Sequence, residues 1–239
     1  MPPAPHNGRA RIRVAAAAAT AALALTGCQA LEDVLDVLEE IEAEAPSTGA
    51  PQSPGTDAGA AEARQRLDAM PIAEPAPRGD YERDEFGSGW IDTDGNGCST
   101  RNDILARDLE DVEFASDGCK VLSGTLHDPY TGKTIEFTSE DPQAVQIDHV
   151  VPLSLAWRMG ADGWDRDTRV EFANDPGNLL ASDGPANREK SDSGPGEWQP
   201  HEGFQCTYAV IYIDVLYRYD LPVSDQDHKG LSTMLDTCA

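Results

Sequence analysis

The placement of five cysteines constrains this chain more than any other feature. Arg9, Arg11 and Arg13 precede an apolar run from Val14 to Leu25, and the run is too short to span a bilayer. A cationic start followed by a short apolar stretch is the pattern of an export signal. Cys28 stands three residues after the apolar run. The remaining four, Cys98, Cys119, Cys206 and Cys238, then lie in an exported segment, where an even set reads as a disulfide framework. The pairs Cys98–Cys119 and Cys206–Cys238 are preferred because each flanks one local unit. A zinc site built from all four is the competing reading, and no Cys-x-x-Cys spacing supports it.

Leu25-Thr26-Gly27-Cys28 resembles a bacterial lipobox, which implies that Cys28 is lipidated and begins the mature protein. The expected location is extracytoplasmic, with the membrane as partner through an N-terminal lipid anchor. Residues 1–28 are therefore assigned to the signal. Residues 29–79 read as an acidic helix, with Leu31, Val34, Leu35, Leu38 and Ile41 at helical spacing, followed by a flexible Ala/Pro/Gly tether. Residues 80–239 are the folded domain, long enough to bury its own core.

Within it, Thr100-Arg-Asn-Asp103 predicts a capping box opening a helix through Leu109. Lys120–Leu126 and Thr134–Thr138 read as a hairpin, turned by Asp128-Pro-Tyr-Thr-Gly132. Val145–Val151 reads as a strand, and Asn178–Ala181 as a short extended piece. Helices are expected over 153–159, 168–172, 185–190, 208–219 and 229–235. The fold class is α+β.

Three pieces carry chemistry. Asp148-His149 closes a strand, Asn178 follows Gly177, and Asn187-Arg-Glu-Lys190 opens a helix. Hydrolysis of a phosphodiester needs an activated water and a cation at the phosphate. A histidine can accept the proton of that water. Asp148 and Asn187 offer the hard oxygen ligands that suit Mg²⁺ or Mn²⁺. Lys190 falls one helical turn after Asn187, on the same face.

These residues resemble the ββα-metal motif of HNH nucleases. The Asp148-His149-Val-Val-Pro152 segment, the Asn178-to-Asn187 spacing and Asn187-Arg-x-Lys190-Ser-Asp192 are similar to the HNH domain of RNA-guided CRISPR nucleases. Over roughly Tyr81–Cys238 the chain resembles exported actinobacterial HNH proteins related to the GmrSD-type restriction endonuclease C-terminal domain. The resemblance implies a ββα-metal motif in a small mixed domain with flanking helices. It implies His149 as general base, and Asp148 and Asn187 holding one divalent metal, Mg²⁺ or Mn²⁺. Asn178 would brace the loop and orient His149, and Lys190 would contact phosphate or support the site.

The implied activity is cleavage of nucleic acid with low sequence specificity, DNA favoured over RNA, by a monomer with no protein partner. An inactive surface-anchored binding module and a phosphodiesterase for another envelope polymer are the alternatives. The formal net charge of -25 excludes binding of a polyanion by bulk electrostatics, so cationic groups must be local to the cleft. Arg101 supplies one if its helix borders that cleft. Asp92-Thr-Asp94-Gly-Asn96-Gly97 resembles the opening of an EF-hand loop. Asp103 stands where that loop has Glu, and Ser99 where it has an apolar residue, so an Asx-rich turn is the reading adopted.

Overall fold

The computed structural model of the chain describes residues 57–238. The signal segment with Cys28, the acidic helix over 31–41 and the start of the tether lie outside the described residues. The first element is α1 (Asp57–Ala69), followed by α2 (Thr100–Asp108) and a three-stranded antiparallel meander of β1 (Leu109–Phe114), β2 (Val121–His127) and β3 (Thr134–Thr138). Next come β4 (Val145–His149), α3 (Leu153–Arg158), α4 (Arg166–Asn174), β5 (Leu179–Asp183) and α5 (Gly184–Lys190). Two long helices, α6 (Gln205–Arg218) and α7 (Asp225–Leu235), complete the mixed α+β fold. Both disulfides form as expected, Cys98–Cys119 and Cys206–Cys238, so no cysteine among the described residues is left for zinc.

The pair β4–β5 positions the site. The two strands run antiparallel, with Asp148 opposite Leu180 and His149 opposite Leu179. α5 follows β5 directly. Asp183 caps it by accepting from the Ala186 N–H at 3.0 Å, and Pro185 occupies its first turn, where a missing N–H costs nothing. The two paired strands are separated in the chain by α3 and α4, and α5 completes the unit. Val145 and Ile147 of β4 pack into one core with Ile104, Leu105, Leu126 and Phe137, whereas Val150 and Val151 enter a second core around Phe172, Tyr208 and Ile213. Asp148 and His149 sit where the chain passes from one core to the other.

Three expectations need correction. The helix over 100–108 ends before Leu109, which starts β1 instead. Glu110, Asp111 and Glu113 hide that strand in the sequence, because an edge strand carries charge to deter further pairing and shows no alternation. The capping box does not form. Ser99 is the N-cap without a side-chain hydrogen bond, and the Thr100 hydroxyl donates to the Ile91 carbonyl.

Residues 57–79 are not a tether. Ala60, Ala63 and Leu67 are buried in the second core, Arg64 pairs with Asp236, and Arg66 with Asp214. Beyond α1, Val223 exchanges backbone hydrogen bonds with Pro71 and Ala73, both 3.0 Å, and the Ala76 N–H reaches the Arg158 carbonyl at 2.9 Å. Alanine lets this helix approach closely, and its abundance is what reads as linker composition. Burial of Leu67 and two alanine methyls is worth about 3 kcal/mol. A chain beginning at Gly79 should therefore unfold at lower urea than one beginning before Asp57, by about that free energy. Coincident unfolding curves would show α1 to be dispensable.

Candidate active site

Asp148, His149 and Asn187 line one cleft of about 630 Å³. Each is held by partners that engage some of its polar atoms and leave others. Asp148 Oδ2 accepts from the Tyr130 hydroxyl at 2.6 Å and pairs with Lys190 Nζ at 2.8 Å. Burial raises the Tyr130 pKa well above that of an ordinary phenol, and the Asp148 charge adds to this, so the hydroxyl stays a donor. Oδ1 of Asp148 takes no hydrogen bond among the described residues. Since no buried side-chain oxygen among the described residues lacks a partner, that oxygen is the one open to the cleft.

His149 is buried. Its Nε2 lies 2.8 Å from the Ala173 carbonyl, an acceptor, so Nε2 carries the proton and Nδ1 keeps its lone pair. The Trp90 ring stacks on the imidazole at 5.6 Å with an interplanar angle of 12°. Burial lowers the imidazole pKa to about 3. Arg83 and Lys190 push the same way and the Ala173 carbonyl opposes them. The ring is thus neutral throughout the physiological range. Asn187 donates from Nδ2 to Gln146 Oε1 at 3.0 Å, and its own Oδ1 has no partner among the described residues.

Asn178 and Lys190 stand behind these groups. Asn178 is fully buried. It accepts from the Val151 N–H at 2.8 Å through Oδ1, and its backbone carbonyl accepts from the Val150 N–H at 2.8 Å. It braces the loop directly after His149, while Ala173 and Trp90 orient the ring. Lys190 is fully enclosed and donates to the His149 carbonyl at 2.9 Å as well as to Asp148. With Nζ enclosed it supports the site and does not reach a phosphate.

The structure adds groups that sequence reasoning missed. Arg78, Arg83 and Trp90 line the cleft from segments far upstream of the motif, and Arg101 lies there too. Tyr130 belongs to the hairpin turn, where its residue type gives no sign of a role at Asp148. A backbone acceptor such as Ala173 leaves no signature at all. Asp192 accepts from the Ser154 hydroxyl at 3.1 Å on the cleft wall. His127 is exposed beside Glu110 and does not line the cleft. The Asp92 carboxylate accepts the Gly95 and Gly97 N–H groups at 2.7 and 2.9 Å, the geometry of an Asx-rich turn. A cavity of about 580 Å³ between α1 and α6 also holds arginines, but Arg66, Arg107 and Arg218 are all paired with carboxylates there.

Among the described residues no three His, Cys, Asp or Glu side chains are grouped to hold a metal ion. The open oxygens of Asp148 and Asn187 fit a hard cation that completes its shell with water, as Mg²⁺ does. No helix among the described residues is long and apolar enough to cross a membrane.

Comparison with known proteins identifies the family of the chain. The family described as GmrSD restriction endonucleases, C-terminal domain, matches residues 99–233, more than half of the chain. An uncharacterized secreted protein of Arthroderma benhamiae is 37% identical over 209 residues, covering 86% of this chain and 97% of the relative. No solved structure matches the chain.

Proposed function

The chain belongs to the GmrSD restriction endonuclease C-terminal domain family, and on that premise we propose that it is an exported, HNH-type endonuclease that hydrolyses phosphodiester bonds of DNA with one divalent metal. One observation carries the reading. His149 Nδ1, Asp148 Oδ1 and Asn187 Oδ1 have no partner among the described residues, and all three residues line one cleft. The antiparallel pairing of β4 with β5, followed by α5, supports a ββα-metal motif in which α3 and α4 are inserted between the strands.

In this reading the neutral His149 accepts at Nδ1 the proton of the attacking water, and Nε2–H on the Ala173 carbonyl holds the ring in the required tautomer. Asp148 and Asn187 would hold Mg²⁺ or Mn²⁺. The cation, when bound, supplies positive charge against the phosphorane-like transition state. Lys190 and Tyr130 fix the Asp148 carboxylate so that a constant oxygen faces the cleft. Trp90 covers the imidazole and excludes bulk water from it. Attack on phosphorus with departure of the 3′-oxygen leaves a 5′-phosphate. The secreted relative supports a location outside the cytoplasm, and the lipobox-like segment supports a lipid anchor at Cys28.

The test is a metal titration of plasmid cleavage by the full chain. Asn187→Ala should raise the Mg²⁺ concentration for half-maximal cleavage at least ~10-fold, a change typical of weakened metal sites. An unchanged requirement would remove Asn187 from the metal site.

A further inference from the structure

This protein has 43 acidic residues against 18 basic ones, and seven of the basic residues described are spent on carboxylates. Arg64 pairs with Asp236, Arg66 with Glu62 and Asp214, Arg169 with Glu85, and Arg218 with Asp175. Arg101 is different. It is half-buried, and its side chain makes no ion pair, hydrogen bond or ring contact among the described residues. It also stands in the first turn of α2, where the helix dipole disfavours a cation. Burial lowers its pKa, as it must for an uncompensated charge. The fold bears three costs at one side chain and recovers none of them from its own groups.

The recovery comes from what the cleft holds. Arg101 shares that cleft with Asp148, His149 and Asn187. Arg83, exposed and likewise without an ion pair, lines it too, as does Arg78, whose guanidinium lies 5.0 Å from the centre of the Tyr81 ring. The negative groups on the same walls are Glu82 and Asp192, since Asp148 is neutralised by Lys190. The cleft is therefore locally cationic in a strongly acidic molecule.

We propose that Arg101, with Arg83 and Arg78, forms an anion track that binds the phosphates beside the one cut, so that the substrate is a strand of successive phosphodiesters and not an isolated diester. The proposal rests on the phosphodiesterase reading of the cleft. A single phosphate at Asp148 and Asn187 needs one divalent ion, and three further guanidinium groups are in excess of it. The acidic exterior adds no phosphate contacts, so binding should have a shallow salt dependence. A log–log slope of roughly 2 to 3 in magnitude follows from about three neutralised phosphates.

The experiment uses the full oxidised chain carrying His149→Ala, which binds without cutting. A fluorescent single-stranded oligodeoxynucleotide is titrated in Mg²⁺ at several salt concentrations. Adding Arg101→Gln should weaken binding about 10-fold and reduce the slope by about 0.7. Arg101→Lys should restore the slope, and Arg166→Gln, an exposed change outside the cleft, should alter neither quantity. The melting temperature of Arg101→Gln should equal or exceed that of its parent, because an unpaired charge has been removed. Parent-like affinity and slope in Arg101→Gln would overturn the proposal. So would failure of the unmodified protein to bind either the oligonucleotide or inorganic pyrophosphate by calorimetry. If the unmodified protein cleaves DNA while Arg101→Gln binds normally, only the anion track falls. If it cleaves nothing yet binds pyrophosphate in an Arg101-dependent way, the track stands and the hydrolase reading falls.

Discussion

Lys190→Met should destabilise the protein by about 3–5 kcal/mol, the cost of removing one partner from a buried ion pair. Lys190 is fully enclosed and the Asp148 side chain is 8% exposed, so solvent screens the pair little. Methionine fills a similar volume, which keeps cavity formation small. What it leaves is a buried carboxylate with the Tyr130 hydroxyl as its remaining donor, and a His149 carbonyl that has lost its ammonium partner. Guanidinium unfolding of the full chain measures the loss. Asp148→Asn added to Lys190→Met should recover much of it, because the stranded charge is gone. A loss below about 1 kcal/mol, or no recovery in the double variant, would mean that Lys190 contributes through packing and that Asp148 does not depend on it.

The same pair shows what the sequence makes legible. The spacing of Asp148, His149, Asn178, Asn187 and Lys190 is readable because one strand end, one turn and one helix start supply all of them, and local periodicity places each. The hairpin strand Thr134–Thr138 and both disulfide pairs are legible for the same reason, being local units closed by turn residues. Burial of Lys190 is not legible, since a lysine one turn after Asn187 has the same spacing whether it faces solvent or Asp148. Nor are Arg78, Arg83 and Trp90, which reach the cleft only because the segment after α1 returns across the core. Alanine in α1 packs closely yet reads as linker, and charge on β1 protects an edge yet breaks the strand pattern. Net charge is a sum over the surface, and a sum conceals a cleft that collects three arginines.

His149 carries the largest expected effect on activity. A positioned general base is worth ~10²–10⁴-fold in rate, and in the proposed mechanism His149 is that base, through an Nδ1 that has no partner among the described residues. His149→Ala also removes the ring that stacks on Trp90, so the variant must be shown folded by its circular dichroism before its activity is read. The most direct measurement is cleavage of supercoiled plasmid and of single-stranded RNA by the full oxidised chain, in Mg²⁺, in Mn²⁺ and in EDTA, beside folded His149→Ala. The account predicts nicking of the plasmid that requires metal, stops in EDTA and falls at least ~100-fold in the variant. Cleavage that survives EDTA, cleavage undiminished in His149→Ala, or no cleavage of either nucleic acid by the folded protein would contradict it.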